Sequence, residues 1–393
     1  MSMSASESAV NPLLECQRLG QSIWLDFIAR KLLDGDGLQR LIDADGISGL
    51  TSNPAIFEKA IGGSDEYDAE LAALVAMGVR DPQDLYEQLA ITDIRRAADR
   101  LRLVYERSGG ADGYVSLEVS PHLALDEDAT VRAAQRLWRA VDRPNLMIKV
   151  PGTAPGIAAV RRLIGEGINV NVTLLFARSA YRAVADAYAD GLEAFAAAGG
   201  EIGRVASVAS FFISRIDTAM DTCIEQRIAS THDDHERTAL RALLGRVAIA
   251  NARLAYADYR QLTAQPRWQA LAARGARPQR LLWASTSTKN PAYRDVYYVE
   301  ALIGPDTVNT LPPATLDAFR DHGCVRASLL DGLDEAQATM AAVEHWRLPL
   351  DEVADRLLTE GLRLFVDAHD RLVAAIAAKR DALRVRPLAG ACR

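Results

Sequence analysis

Lys149 sits in an apolar run, LMIKVP (146–151), of a chain that carries only five lysines (Lys31, Lys59, Lys149, Lys289 and Lys379) among 45 basic residues. Arginine could not take its place chemically. An amine shielded from water gives up its proton more readily and attacks carbonyl carbon, whereas a guanidinium stays protonated. Two carboxylates occupy comparable settings, Glu118 in YVSLEVS (114–120) and Asp26 in SIWLDF (22–27). Aspartate is disfavoured inside a strand and its unpaired burial is costly, so Asp26 asks for a reason. A Lys149–Glu118 ion pair kept for stability is the competing reading. Desolvating two charges costs several kcal/mol and such pairs often add no net stability, so a chemical role is favoured.

Strand alternation places these groups together, because successive side chains point to opposite faces. In 114–120, Val115, Leu117 and Val119 form one face, and Tyr114, Ser116 and Glu118 the other. In INVNVTLLF (168–176), Ile168, Val170, Val172 and Leu174 oppose Asn169, Asn171 and Thr173; in 146–151, Leu146, Ile148 and Val150 oppose Met147, Lys149 and Pro151. The apolar sets face a helical shell, so Glu118, Lys149, Asn171 and Thr173 share one interior. Glu118 and Lys149 lie near the ends of their runs, ahead of Pro121 and Pro151. In α/β barrels that end carries the site.

The elements that must hold them follow one pattern. Strand-like runs at 22–27, 46–52, 114–120, 146–151, 168–176, 204–214, 280–286 and 306–312 alternate with helical stretches, as in successive βα units. Asp81-Pro82 opens a helix that Gly109-Gly110 closes, and Ser179 caps another that Gly199-Gly200 ends. About eight strands fit a closed (β/α)₈ TIM-type barrel better than an open doubly wound sheet, and no GxGxxG follows the first strand. Two parts exceed the minimal barrel: a helical insert at about 216–278 and an amphipathic, wholly helical C-terminal extension after about 328. The expected organisation is one barrel domain over 10–375, with 1–9 and 376–393 as peripheral termini.

Composition narrows the function. A net charge of −7 with scattered basic residues gives no footprint for nucleic acid or an acidic membrane. The N-terminus lacks a signal-type charge and apolar pattern and no run approaches a membrane span, so a cytoplasmic protein is expected. Cys16, Cys223, Cys324 and Cys392 are far apart, as isolated reduced thiols. His232 and His235, in THDDHER, read as a solvated inter-helix turn rather than a zinc site. Neither GxxxxGK[ST] nor a Rossmann fingerprint occurs in context, which disfavours kinases and nucleotide enzymes. No cofactor or metal is expected, and a homo-oligomer is neither required nor excluded.

The motifs LTSNPAIFEKAI, VSLEVSP, MIKVPGT, INVNVTLLF, SFFISRID and WASTSTKNPAY, in this order, resemble the transaldolase family, in its longer bacterial subgroup, over about 10–375. The resemblance implies transfer of a dihydroxyacetone unit from sedoheptulose 7-phosphate or fructose 6-phosphate to glyceraldehyde 3-phosphate or erythrose 4-phosphate, in the non-oxidative pentose phosphate pathway. It implies a Schiff base on Lys149, Asp26 as the base that takes the C4 hydroxyl proton, and Glu118 acting through a water held by Thr173. Asn53 and Asn171 would bind the dihydroxyacetone unit, with Ser210 also in the substrate site. Arg215, after the sixth strand, and Ser285, after the seventh, would bind phosphate. Where the better-known pattern has serine, an aromatic residue and arginine, this chain has Thr286, Ser287, Thr288 and Lys289. Lys289 is therefore the candidate second cation, set against a solvated surface lysine.

Residue by residue, plainer roles exist. Asn53 before Pro54 could open a turn, and Thr173 alone is an ordinary β-former. Two other functions stay in view: a class I aldolase that cleaves without transfer, and a catalytically inert sugar-phosphate-binding barrel. Net release of dihydroxyacetone against exchange separates the first. The second has no chemical reason to keep Asp26, Glu118, Lys149 and Thr173 together in its interior.

Overall fold

The structure is a computed structural model, and it describes residues 11–385. Residues 1–9 and 386–393, expected to be peripheral, and Cys392 lie outside the described residues. Eight parallel strands form one closed barrel in sequence order: β1 (Gln21–Leu25), β2 (Gly49–Leu50), β3 (Tyr114–Glu118), β4 (Leu146–Pro151), β5 (Val170–Leu175), β6 (Ser207–Phe212), β7 (Arg280–Ala284) and β8 (Thr307–Leu311). The ring closes where Gln21 to Leu25 pair with Thr307 to Leu311. Each strand coincides with one of the eight expected runs, β1 starting one residue early at Gln21, and helices wrap the outside as the β-then-α alternation requires.

β2 is the shortest strand, and it holds a glycine for a steric reason. A side chain at Gly49 would meet the Trp24 ring at 2.4 Å, so the backbone runs close over an aromatic ring that only glycine tolerates. Backbone bonds from Ser48 to Ile23 and from Thr51 to Leu25 carry the pairing past both ends.

Register fixes the interior. Glu118 is opposite Lys149, and Lys149 is opposite Asn171, so the three share one face of the sheet. The alternation expected for β5 fails at one position. Register shifts between Val172 and Leu175, with Leu174 at φ 61°, and Leu174 turns to the C-terminal helix at Gly361 instead of joining the helical shell.

Two helix boundaries differ from expectation. The helix expected to begin at Ser179 spans Arg178–Ala197, after Ala177 with no side-chain cap; Asp258 anchors its first residue by accepting two hydrogen bonds from Arg178 at 2.8 and 2.9 Å. The helix opened by Asp81 does begin with side-chain capping, but Pro82–Arg100 breaks at Leu101 before a short Arg102–Arg107 segment.

The insert consists of helices Ser214–Ser230, Asp234–Arg241, Val247–Thr263 and Pro266–Ala272. His235, read as part of a turn, lies in the second of these, which Asp233 caps by accepting from the His235 amide at 2.8 Å. After Pro313–His322 and Leu333–His345, the chain ends its described part in one long helix, Leu350–Val385. The boundary expected at 375 falls inside this tail helix: Ile376 is buried and Lys379 pairs with Asp68 at 2.6 Å. Among the described residues, no helix is long and apolar enough to cross a membrane.

The tail helix lies across the end of the barrel where Glu118 and Lys149 sit. Phe365 stands over the Lys149 amine, Arg371 pairs with Glu58 at 2.6 Å, His369 bonds Gln83 at 2.8 Å, and Arg380 donates to the Arg80 carbonyl at 2.6 Å. The core is otherwise continuous between the barrel wall and the helical shell.

Candidate active site

Lys149 is 5% exposed and Glu118 6%, which sets both well inside the protein. Lys149 Nζ lies 3.2 Å from Glu118 Oε2, and it donates its hydrogen bond to the Ser52 carbonyl at 3.1 Å. The Phe365 ring centroid is 5.6 Å from the same nitrogen. The carboxylate contact is thus an ion pair by distance, while the aligned hydrogen bond goes to a backbone oxygen. Both Glu118 oxygens and the Thr173 hydroxyl are buried without a hydrogen-bond partner among the described residues. Burial raises the Glu118 pKa to about 7, with the Lys149 charge opposing and Asp26 adding to the rise.

Asp26 follows β1 at the barrel mouth and is half-buried. Its carboxylate accepts from Thr51 Oγ1 at 2.6 Å, and the Thr51 hydroxyl also meets Thr310 at 2.7 Å. Burial raises its pKa above the usual carboxylate range, against the pull of the Lys149 and Arg215 charges and the Thr51 bond. Asp26 is therefore electrostatically coupled to both cations.

Asn171, Ser116 and Ser210 form a chain across three strands. Asn171 Nδ2 donates to Ser116 Oγ at 3.0 Å, and its Oδ1 accepts from Ser210 Oγ at 2.7 Å. This orients the Asn171 amide rigidly beside Lys149. Asn53 does what an Asn-Pro start suggests: its oxygen caps helix Pro54–Phe57 by accepting from the Ile56 amide at 3.0 Å. Its amide nitrogen is left uncommitted by that bond.

Ser285 follows β7 in a left-handed conformation, φ 56°, unusual for a side chain with a Cβ. Its hydroxyl meets that of Ser214 at 3.0 Å, and the Ser214 amide donates to its carbonyl, tying the ends of β6 and β7 together. Arg215 is next in the chain, half-buried, with its guanidinium 5.2 Å from the Phe212 ring centroid. It makes no ion pair or hydrogen bond among the described residues, and burial lowers its pKa from the ordinary arginine value. Lys289 is exposed and donates to Ser287 Oγ at 2.9 Å, yet it lines the same cleft of about 470 Å³ as Arg215.

The fold therefore gathers Asp26, Glu118, Lys149, Asn171, Thr173 and Ser210 around one barrel interior, with Arg215 and Lys289 on a shared cleft beside it. The matched family model, transaldolase/fructose-6-phosphate aldolase, covers residues 23–376. The chain belongs to that family. It is 47% identical over 371 residues to a transaldolase of Trichodesmium erythraeum, covering 94% of this chain and 97% of the relative. Transaldolase 2 of a Nostoc species is 48% identical over 374 residues, covering 94% and 98%, and the transaldolase of Thiobacillus denitrificans is 48% identical over 367 residues, covering 93% and 100%. The transaldolase match begins in β1 and ends within the tail helix, so that helix is an integral part of the family architecture here.

Sequence reasoning missed what the tail and the β2 loop bring. Phe365, Arg356 and Glu360 reach the site from a helix about two hundred residues after Lys149, and the cleft is lined by Arg356, Leu357, Glu360 and Leu364. Thr51 and Ser52, inside the quoted LTSNPAIF motif, hold Asp26 and Lys149. The signal for them is their adjacency to Asn53 at the end of β2, in one tripeptide, Thr51-Ser52-Asn53.

Proposed function

We propose that the chain is a working transaldolase, moving a dihydroxyacetone unit from fructose 6-phosphate or sedoheptulose 7-phosphate to erythrose 4-phosphate or glyceraldehyde 3-phosphate through a Schiff base on Lys149. The observation that carries the reading is the Lys149 amine held in the barrel interior, 3.2 Å from a carboxylate whose pKa burial lifts to about 7. A carboxyl that titrates near neutrality can both take and give a proton, as carbinolamine formation and dehydration require. Through a water held by Thr173, Glu118 accepts the ammonium proton, the free amine adds to the ketose C2 carbonyl, and the returned proton lets water leave as the iminium forms.

Asp26 then takes the C4 hydroxyl proton. The C3–C4 bond breaks, its electron pair flows to the iminium to give an enamine, and the aldose phosphate departs with the C4 aldehyde. Lys149 and Arg215 favour the ionised, basic form of Asp26, while burial holds its basicity above that of a free carboxylate. The acceptor aldehyde is attacked by the enamine in the reverse sense, and hydrolysis frees Lys149. Asn53 and Asn171 are suited to the retained three-carbon unit, with Ser210 fixing the Asn171 amide. Arg215, Ser285 and Lys289 face the phosphate.

Borohydride reduction in the presence of fructose 6-phosphate, read by peptide mass, tests this directly. Modification confined to the Lys149 peptide is expected; labelling of another lysine alone overturns the assignment. Because the family also includes fructose-6-phosphate aldolases, exchange into added erythrose 4-phosphate is to be compared with net release of dihydroxyacetone. Exchange should dominate.

A further inference from the structure

The cleft shared by Arg215 and Lys289 contains a third cation, Arg356 of the tail helix, and only one carboxylate, Glu360, among its lining residues. Three positive groups against one negative leave a surplus of two charges. A phosphate monoester carries close to two negative charges at neutral pH. Arg356 is weakly engaged: its nearest carboxylate oxygen, on Glu360 one turn later, is 3.9 Å away, beyond hydrogen-bond range, and its side chain is half-exposed. Arg215 has no ionic or hydrogen-bond partner among the described residues, although Asp26 and, less strongly, Glu360 act on it through space. Leu357 and Leu364 form an apolar side to the cleft, which lowers the local dielectric around these charges.

We propose that Arg356 is a phosphate-binding residue, so that the tail helix completes the anion rim, with Glu360 as the resident competitor that an incoming phosphate displaces from the cations. This rests on the sugar-phosphate reading above and extends it to a residue outside the barrel. Arginine suits the role, since its fork can donate two parallel hydrogen bonds to a phosphate.

Binding of inorganic phosphate, followed by ³¹P line broadening, tests the proposal without relying on turnover. Arg356→Ala should weaken phosphate binding by about tenfold, the worth of one charge-assisted hydrogen bond. Arg356→Lys should recover part of that loss, and Glu360→Gln should bind phosphate more tightly than the unaltered protein. Borohydride trapping at Lys149 supplies a second readout. Arg356→Ala should raise the half-saturating concentration of fructose 6-phosphate but hardly that of dihydroxyacetone, which has no phosphate. Unchanged phosphate affinity in Arg356→Ala, with its circular dichroism unaltered, overturns the proposal. If phosphate binding weakens as stated but fructose 6-phosphate never traps on Lys149 in the unaltered protein, the anion rim stands and the Schiff-base reading falls.

Discussion

Lys149 Nζ and Glu118 Oε2 stand 3.2 Å apart in direct register on adjacent strands, yet the amine spends its aligned hydrogen bond on the Ser52 carbonyl. The carboxylate is close enough to exchange a proton with the amine through one intermediary and is not locked to it. On the proposed function, such a pair serves proton transfer rather than mutual stabilisation.

Replacing Lys149 by methionine is expected to abolish turnover and borohydride trapping while the fold persists. Methionine roughly keeps the side-chain volume, and the charge it removes was itself expensive to bury. Glu118 then loses its neighbouring cation and should ionise less readily. Urea unfolding near pH 6 and trapping with fructose 6-phosphate check both halves; collapse of the fold would show Lys149 to be a structural ion-pair partner.

Glu118→Gln should flatten the pH dependence of stability. Burial lifts the folded-state pKa to about 7 from an ordinary 4.5, so between those values the folded protein holds a proton that the unfolded chain has released. The unaltered protein therefore loses stability as pH rises through this window, and the glutamine variant should not. Urea midpoints at about pH 4 and pH 8 measure the difference, since these bracket the window. The acid limb of the turnover profile near neutrality should vanish as well.

Asp26→Asn should still form the Schiff base but slow carbon–carbon cleavage by at least about a hundredfold, the usual worth of a positioned general base. The trapped ketose adduct then accumulates. Failure to form any adduct would move Asp26 to the earlier proton transfers now given to Glu118.

Arg215→Ala should be more damaging than Lys289→Ala. Arg215 is half-buried and unpaired among the described residues, with a fork that can bind a phosphate in two places, whereas Lys289 is exposed and already donates to Ser287. For Lys289→Ala, a rise of roughly tenfold in the Michaelis constant for fructose 6-phosphate is expected from one charge-assisted hydrogen bond. With glyceraldehyde as acceptor, the acceptor constant should move much less. Equal constants for the variant and the unaltered protein would leave phosphate to Arg215 and its serine neighbours.

The barrel was legible because its signals are local. Each strand is a short apolar run, and alternation alone set Glu118, Lys149 and Asn171 on one face, where register pairs them. Alternation failed at Leu174, because one irregular residue reverses the face without leaving a mark in composition. The helical extension was legible as a helix but not as a cover. An amphipathic period says that a face will be buried, not which surface will bury it. So Phe365, Arg356 and Glu360 could not be placed over the barrel from the sequence, and Arg178, held by Asp258 eighty residues away, could not be seen to start its helix.

The tail helix also imposes an order of events during synthesis. All eight strands leave the ribosome before residue 350, so the growing chain can close its ring while the interior that holds Lys149 is still an open bowl. Only afterwards can the helix settle, and its fastenings are to Glu58, Asp68, Arg80 and Gln83, all made very early. The last-made described segment thus clasps one of the first. A nascent chain has Lys149 in place long before it has the ceiling that keeps bulk water from it.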